Sequence, residues 1–214
     1  MIKIERFVCN MLQENCYVVS DDSKECVIID CGAWYEEERK AVKDYILRND
    51  LTPTHLLCTH GHVDHNFGID TIHEAFGLFP EIHEKDADFM VHLPDQAVQF
   101  IGFRLSNTYP SVGSYLSDGY EIALGTHTLK VIHTPGHSRG SVCFHIADEH
   151  MLFTGDTLFC RSIGRTDLEG GSMMQIIQSL RLLAQLPDET IILPGHGPQS
   201  TMGDELRLNP FLDR

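Results

Sequence analysis

The 214-residue chain is poor in positive charge and has no long hydrophobic run. Lysine and arginine number 16 against 31 acidic residues, which gives a formal net charge of −15 at pH 7. Nucleic acid binding depends on clustered basic side chains that neutralise phosphates, so the composition argues against a nucleic acid partner. No apolar stretch approaches the roughly 18 residues of a membrane span, and the opening MIKIERF carries charges where a signal peptide is apolar. We therefore expect a cytoplasmic protein without a membrane partner.

The cysteine pattern also lacks the features of a disulfide framework or a dithiol motif. The seven cysteines are odd in number, and none lies in a C-x-x-C pair. Several lie in apolar runs that resemble strands, where a free thiol packs as a small hydrophobic group. This usage favours a reducing compartment.

Histidine and aspartate are concentrated in one short segment, THGHVDH at residues 59–65. In an extended segment residues two apart share a face, so His60 and His62 can bind the same metal ion. The following VDHNFGIDTIHEAF has apolar residues at helical spacing and predicts a helix that begins just after this point. Asp64 and His65 would then lie on its first turn and face elsewhere. This arrangement favours two adjacent metals over one.

The rest of the chain alternates short apolar strands with amphipathic helices, over a length that fits one domain spanning 1–214. We predict strands within IKIERFVC, NCYVVS and ECVIIDCG, and then a helix near 35–49. A later helix is expected from about 172 to 186. Further strands are expected near 79–83, 120–124, 128–133, 141–146, 150–154 and 190–193.

Four apolar runs end immediately in a turn that carries candidate metal ligands. They are HLLC before THGHVDH, LKVI before HTPGHS, HMLF before TGDT, and TIIL before PGHG. Buried strands flanked by helices present functional side chains at their carboxyl ends. The four turns are therefore expected to meet at one rim of the fold and to form one metal site.

Through these ordered motifs, essentially the whole chain resembles the metallo-β-lactamase superfamily. Within it, the sequence looks like the short, single-domain glyoxalase II (hydroxyacylglutathione hydrolase)-like proteins, in which GRTD and a terminal NPF also occur. The resemblance implies an α/β fold, a four-layer αββα sandwich with two metals at one edge. It also implies the ligands, which are His60, His62 and His137 for the first metal, Asp64, His65 and His196 for the second, and Asp156 as the bridge.

The implied activity is hydrolysis of a thioester, either S-lactoylglutathione or a related acyl thioester. A metal-bound water has its pKa lowered to about 7, so hydroxide is available at neutral pH. A thiolate leaves readily, because an ordinary thiol has a pKa of about 8.5. Two divalent ions are expected, with zinc at the histidine-rich first site and zinc, iron or manganese at the second, which is richer in oxygen.

Other residues are expected to support this chemistry. Asp64 can orient the hydroxide while it binds metal, and Asp30, which ends the strand VIID, can accept a hydrogen bond from a ligand imidazole. Arg165 and Arg161 lie just beyond Asp156 and are candidates to bind an anionic part of the substrate, although Asp167 is an equally good partner for Arg165. The long segment 94–118 is expected either to pack as a small subdomain or to cover the metals as a lid.

Two other functions stay open at this point. Persulfide dioxygenases share the fold and a GRTD-like stretch and resemble mononuclear iron oxygenases, which here would use His60, His137 and Asp156. Retention of the whole second ligand set favours two metals. A non-catalytic metal-binding domain is the other alternative, but an inactive relative should have lost ligands, and all seven are present. The pattern does not indicate an oligomeric state.

Overall fold

A computed structural model describes residues 1–212 and contains two six-stranded sheets, a small hairpin and six α-helices within that range. The strands are β1 (Lys3–Cys9), β2 (Glu14–Ser20), β3 (Glu25–Ile29), β4 (Thr52–Leu57), β5 (Pro80–His83), β6 (Ser114–Leu116), β7 (Glu121–Leu124), β8 (His127–His133), β9 (Val142–Ile146), β10 (Met151–Gly155), β11 (Leu158–Phe159), β12 (Ser162–Ile163), β13 (Ile191–Pro194) and β14 (Ser200–Thr201). The helices are α1 (Glu36–Arg48), α2 (Ile69–Phe76), α3 (Ala87–Val91), α4 (Leu93–Ile101), α5 (Met173–Leu183) and α6 (Met202–Leu208).

The first sheet has the order β1-β2-β3-β4-β5-β6, and the second has the order β14-β13-β10-β9-β8-β7. Strands β8 and β10 are both antiparallel to β9, and β13 is parallel to β10. These three strands therefore run in the same direction, and the turns that follow them lie at one edge of the second sheet. The first sheet reaches the same edge after β4, where the Val142 N–H donates to the Thr59 carbonyl at 2.8 Å.

The two sheets pack face to face with helices outside both, which confirms the predicted four-layer αββα sandwich. Successive residues of a strand point to opposite faces, so a strand buried on both sides is apolar throughout. In β3, for example, Val27 and Ile29 pack between the sheets, while Cys26 and Ile28 face the layer that contains α1 and α2. Helix α5 covers the outer face of the second sheet, with Ile176 in that core.

Most of the predicted strands are present within one to two residues of their expected bounds, as is α1, and α5 ends three residues before its expected end. The prediction of a helix directly after Val63 is wrong. Residues 63–65 form a single 3₁₀ turn, and α2 begins at Ile69. The intervening chain is bound to Cys31, whose N–H donates to His65 and whose carbonyl accepts from Gly68. None of the helices within residues 1–212 is long and apolar enough to cross a membrane.

Part of the segment 94–118 packs against the rest of the fold, and part of it lies beside the metal ligands. Its first part is in α4, which is followed by a loop and then by the edge strand β6. The loop is held to the start of α2, because the Tyr109 hydroxyl donates to the Phe67 carbonyl just before this helix and the Asn107 amide donates to Asp70 in its first turn. Phe100, on α4, has its ring 6.1 Å from that of His62.

Candidate metal centre

Four strand ends bring the seven predicted ligands together. His60 and His62 follow β4, His137 follows β8, Asp156 directly follows β10, and His196 follows β13. Asp64 and His65 lie in the 3₁₀ turn after β4. Because the second sheet contributes three parallel strand ends and the first sheet contributes β4, the ligands lie where both sheets open at the same edge.

The first cluster consists of His60, His62 and His137, all buried. The Nδ1 atom of His62 lies 2.8 Å from Nε2 of His137. The Nε2 atom of His60 is buried and has no hydrogen-bond partner within residues 1–212. Their ligand atoms lie within 4.8 Å of one another, which is a separation that one metal ion can bridge.

The second cluster consists of Asp64, His65 and His196. The Nε2 atoms of the two histidines are 3.2 Å apart, and Asp64 Oδ2 lies 3.3 Å from His196 Nε2. This set combines two imidazoles with a carboxylate, so its donors are harder than those of the first cluster.

Asp156 lies between the two clusters. Its Oδ1 is 3.3 Å from His65 Nε2 of the second cluster, and its Oδ2 is 3.5 Å from His137 Nε2 of the first. Gly195 is required at this point, since a Cβ there would lie 2.4 Å from Asp156 Oδ1 and 2.7 Å from the ring of His65. Asp156 therefore lies within 3.5 Å of a histidine nitrogen of each cluster.

The electrostatics of the two clusters differ. Burial lowers the pKa of His62 to about 3 and that of His60 well below the usual histidine range. Burial also opposes protonation of His65, but the carboxylates of Asp156 and Asp64 outweigh it and hold the His65 pKa well above its ordinary value. His60 and His62 therefore present neutral imidazoles, the form that binds metal, whereas the second cluster stabilises a positive charge among carboxylates.

In four of the five histidines, Nε2 faces the clusters and Nδ1 contacts an oxygen atom outside them. His62 differs, because its Nδ1 faces the first cluster. Such contacts fix the orientation and tautomer of a metal-binding histidine. The four pairs are His60 Nδ1 with the Thr59 hydroxyl at 3.0 Å, His65 Nδ1 with Asp30 Oδ2 at 2.9 Å, His137 Nδ1 with the Arg165 carbonyl at 2.8 Å, and His196 Nδ1 with the Leu12 carbonyl at 3.0 Å.

Asp30 occupies a buried position directly after β3 and contacts more than one group. Besides its contact with His65, it accepts the Thr59 N–H at 2.7 Å and the Thr59 hydroxyl at 2.7 Å. The same hydroxyl reaches Nδ1 of His60, so a single carboxylate influences a histidine in each cluster. Its proposed role in orienting a ligand imidazole rests on these contacts.

Asp86 is the main residue that the sequence analysis missed. It is fully buried just after β5, and it accepts the Gly61 N–H at 3.0 Å, the Gly140 N–H at 2.6 Å and the Ser138 hydroxyl at 2.6 Å. Gly61 separates His60 from His62, and Ser138 follows His137. Asp86 therefore joins the two loops that supply the first cluster. The segment HEKDADF that contains it has no ligand spacing that could have indicated this role.

Asn66 was also missed, although it directly follows the histidine-rich segment. Its Nδ2 donates to the carbonyls of His60 at 3.2 Å and His62 at 2.7 Å. These two bonds hold the backbone of the loop whose side chains form the first cluster. A polar residue with a short side chain beside a tight turn is the available sequence signal for such a role.

The two arginines predicted to bind an anion are both exposed. The Arg165 guanidinium donates to both carboxylate oxygens of Asp167 at 2.7 Å, and it is the Arg165 carbonyl that contacts the first cluster. The Arg161 N–H donates to Glu205. Anion binding by these side chains stays a prediction, and the Arg165–Asp167 pair does not favour it.

The donor set fits two divalent metal ions. Two buried ligand atoms, His60 Nε2 and Asp156 Oδ1, lack a hydrogen-bond partner within the described range, and burying such atoms unpaired is costly. Five imidazoles and two carboxylates are suitable donors for zinc, iron or manganese. A metal in each cluster would satisfy these atoms together.

Metal content provides a direct test of the two clusters. We expect protein purified without chelator to contain about two metal equivalents per chain, and the stripped protein to take up about two on reconstitution. Elemental analysis before and after reconstitution measures both values. One tightly held ion with no gain on reconstitution would show that the second cluster does not bind metal.

Comparison with known proteins gives consistent matches over nearly the full length. A family model described as "Metallo-beta-lactamase superfamily" matches residues 9–196. The hydroxyacylglutathione hydrolase GloC of Haemophilus influenzae is 35% identical, with 99% of each chain covered. Among solved structures, the BLEG-1 B3 metallo-beta-lactamase is 36% identical with a TM-score of 0.89, with 99% of each chain covered. TTHA1623, solved in a di-iron-bound form, is 33% identical with a TM-score of 0.85, covering 97% of this chain and 100% of that one.

Proposed function

Given that the chain belongs to the metallo-beta-lactamase superfamily, we propose that it is a hydrolase with two metal ions that cleaves an acyl thioester, either S-lactoylglutathione or a related compound. Members of this superfamily are mostly metal-dependent hydrolases and typically bind two divalent metals. The similarity to a protein named hydroxyacylglutathione hydrolase supports a thioester as the substrate. Seven free cysteines are compatible with the proposed cytoplasmic location.

The observation that carries the proposal is the convergence of seven side chains on two adjoining clusters. His60, His62 and His137 would hold one ion, and Asp64, His65 and His196 would hold the other. Asp156, which lies within 3.5 Å of a histidine from each cluster, would bind both. The histidine-rich first cluster suits zinc, while the second also suits iron or manganese, and a di-iron form is known for TTHA1623.

Two bound metals would supply a hydroxide nucleophile and polarise the thioester carbonyl. The residues of the chain then hold and orient the reacting groups. Asp64 Oδ2 lies 3.3 Å from His196 Nε2, and this carboxylate would also orient the attacking water while it binds metal. Departure of a thiolate needs no strong acid, because ordinary thiols have a pKa of about 8.5.

The alternative reaction class is a dioxygenase with one iron, held by His60, His137 and Asp156. Such an enzyme has no need of the second ligand set. Here Asp64, His65 and His196 are as closely grouped as the first cluster, and Asp30 and the Leu12 carbonyl orient the two histidines. This arrangement favours two ions and hydrolysis.

Oxygen dependence separates the two reactions. We expect the metal-loaded protein to cleave S-lactoylglutathione or a simple acyl thioester equally well in air and under strict anaerobiosis, because hydrolysis consumes only water. Thiol release measured in both atmospheres gives the comparison. Oxygen uptake with glutathione persulfide, together with no anaerobic thioester cleavage, would replace the hydrolase with the dioxygenase.

A variant of the second cluster sharpens this test. His196→Ala should remove most thioesterase activity and leave about one tightly bound ion in the first cluster. His150→Asn is the matched control, since His150 precedes β10 at the end opposite Asp156 and asparagine tolerates its positive φ of 51°. Full activity in His196→Ala would argue that the second ion is not needed.

A further inference from the structure

A cavity of about 300 Å³ opens beside His62 of the first cluster. Its walls come from α3, α4 and the loop after β12. The rings of Phe89 and Phe100 lie 5.4 and 6.1 Å from the imidazole of His62. His62 belongs both to the first cluster and to the wall of the cavity. Any group bound in the cavity therefore lies next to the proposed reacting centre.

The ionisable side chains that line the cavity within residues 1–212 are three carboxylates and the imidazoles of His62 and His92, without a lysine or an arginine. Asp88, Asp95 and Glu169 contribute three negative charges, and one of them, Asp95, pairs with Arg104 at the rim. Asp88 Oδ1 lies 3.5 Å from Nδ1 of His92, which also lines the cavity, and within residues 1–212 neither Asp88 nor Glu169 forms an ion pair with a lysine or arginine. The nearest arginine in the loop that carries Glu169 is Arg165, which is already paired with Asp167.

Gln96 adds an independent indication of the ligand. The side chain is 8% exposed, and its Nε2 donates to the carbonyls of Gly61 at 3.1 Å and Phe89 at 2.8 Å. Its Oε1 is buried and accepts no hydrogen bond from residues 1–212. A buried amide oxygen at the wall of a cavity requires a donor, which an N–H group of a ligand would provide.

We propose that this cavity holds the thiol portion of the substrate and selects thiols that carry N–H donors or a positive charge and no carboxylate. This inference rests on the proposed thioester hydrolysis and narrows its substrate class. The aromatic walls accommodate the carbon chain of such a thiol and favour a cation over an anion. Glutathione carries two carboxylates and one ammonium, so its esters fit this wall less well than esters of a neutral amide thiol.

Three thioesters with the same acetyl group test the charge preference. They are the esters of thiocholine (positive), N-acetylcysteamine (neutral) and 3-mercaptopropionate (negative). At low ionic strength and pH 8 we expect kcat/KM to fall in that order, with about a ten-fold difference between the positive and negative esters for two charges at about 8 Å. The difference should shrink in 0.5 M salt, because the Debye length is then only about 4 Å.

Removing the negative charges of Asp88 and Glu169 should remove the preference for the positive ester over the negative one. In the double variant Asp88→Asn, Glu169→Gln, we expect the ratio between the positive and negative esters to fall to about two-fold. The control is Asp22→Asn, Glu36→Gln, which removes two exposed carboxylates that do not line the cavity and should keep the ratio.

Binding of uncleavable analogues separates this inference from the proposed reaction. The thioethers of the same three thiols, in which CH₂ replaces the carbonyl, are titrated into the metal-loaded protein by calorimetry. The predicted order in binding without any hydrolysis would support the cavity and refute the reaction. Hydrolysis with equal rates, or with preference for the negative ester, would overturn the inference and leave the hydrolase intact. If the protein shows neither the predicted order of binding nor any hydrolysis, both the inference and the proposed reaction are overturned.

Discussion

Replacing Asp156 with asparagine is expected to lower thioester hydrolysis about a thousand-fold or more, the largest effect of any single change considered for the site. The physical reason is the position of this carboxylate between the clusters. One oxygen lies 3.3 Å from His65 Nε2, and the other lies 3.5 Å from His137 Nε2. Asparagine preserves the volume but removes the negative charge and one acceptor oxygen, so one ion would lose a ligand and both ions would lose the neutralising charge.

Metal content and rate measured on the same samples check this expectation. Asp156→Asn should retain fewer than two equivalents after dialysis against a weak chelator, while circular dichroism shows a folded protein. Asp22→Asn, an exposed carboxyl that pairs with the amino terminus, is the matched control and should behave like the unchanged chain. Two retained ions together with normal hydrolysis in Asp156→Asn would show that Asp156 does not connect the metals.

Removing the Asp86 side chain has the second large expected effect, on stability and on metal binding together. Asp86→Ala leaves two buried donors, the N–H groups of Gly61 and Gly140, without their acceptor, and leaves the Ser138 hydroxyl with Ser141 as its partner. Each buried unpaired donor costs about 1–3 kcal/mol, so the free energy of unfolding should fall by about 2 kcal/mol or more. The same loss frees the loops that carry His60, His62 and His137, which should weaken metal binding in the first cluster by about 10–100-fold.

Asp86→Asn distinguishes the hydrogen bonds from simple packing. Gly140 donates to one carboxylate oxygen, and Gly61 and Ser138 donate to the other, so either orientation of an amide places its NH₂ group against a backbone N–H. We therefore expect Asp86→Asn to be nearly as damaging as Asp86→Ala, although it fills the same volume. Glu84→Ala, at an exposed neighbouring position, is the control. Urea unfolding and chelator competition measure the two effects, and a fully stable Asp86→Asn with normal metal affinity would contradict the role of Asp86.

The strands and the convergence of the ligand turns were predictable because they depend on short-range patterns, whereas the four-layer sandwich was implied by the resemblance to the superfamily. Apolar runs such as VIID and TIIL are typical of strands buried on both faces, and each of the four ligand turns directly follows such a run. Strand ends that run in the same direction meet at one edge, so convergence of the turns followed from local structure and general sheet geometry. The start of α2 was not predictable in this way, because Cys31, more than thirty residues earlier, holds the chain from His65 to Gly68 outside the helix.

The sequence by itself determined the order of strands and helices and the four turns that carry the candidate ligands, because strand patterning and ligand type are properties of neighbouring residues. The two-sheet sandwich and the assignment of ligands to each metal followed from the resemblance to the superfamily. Only the tertiary structure decided how those ligands are held. Asp86 reaches Gly61 and Ser138 across long loops, and the carbonyls of Leu12 and Arg165 orient His196 and His137. A backbone carbonyl is present whatever the residue type, so no sequence pattern marks it. The acidic wall beside His62 likewise exists only because α3, α4 and the loop after β12 are brought together by the fold.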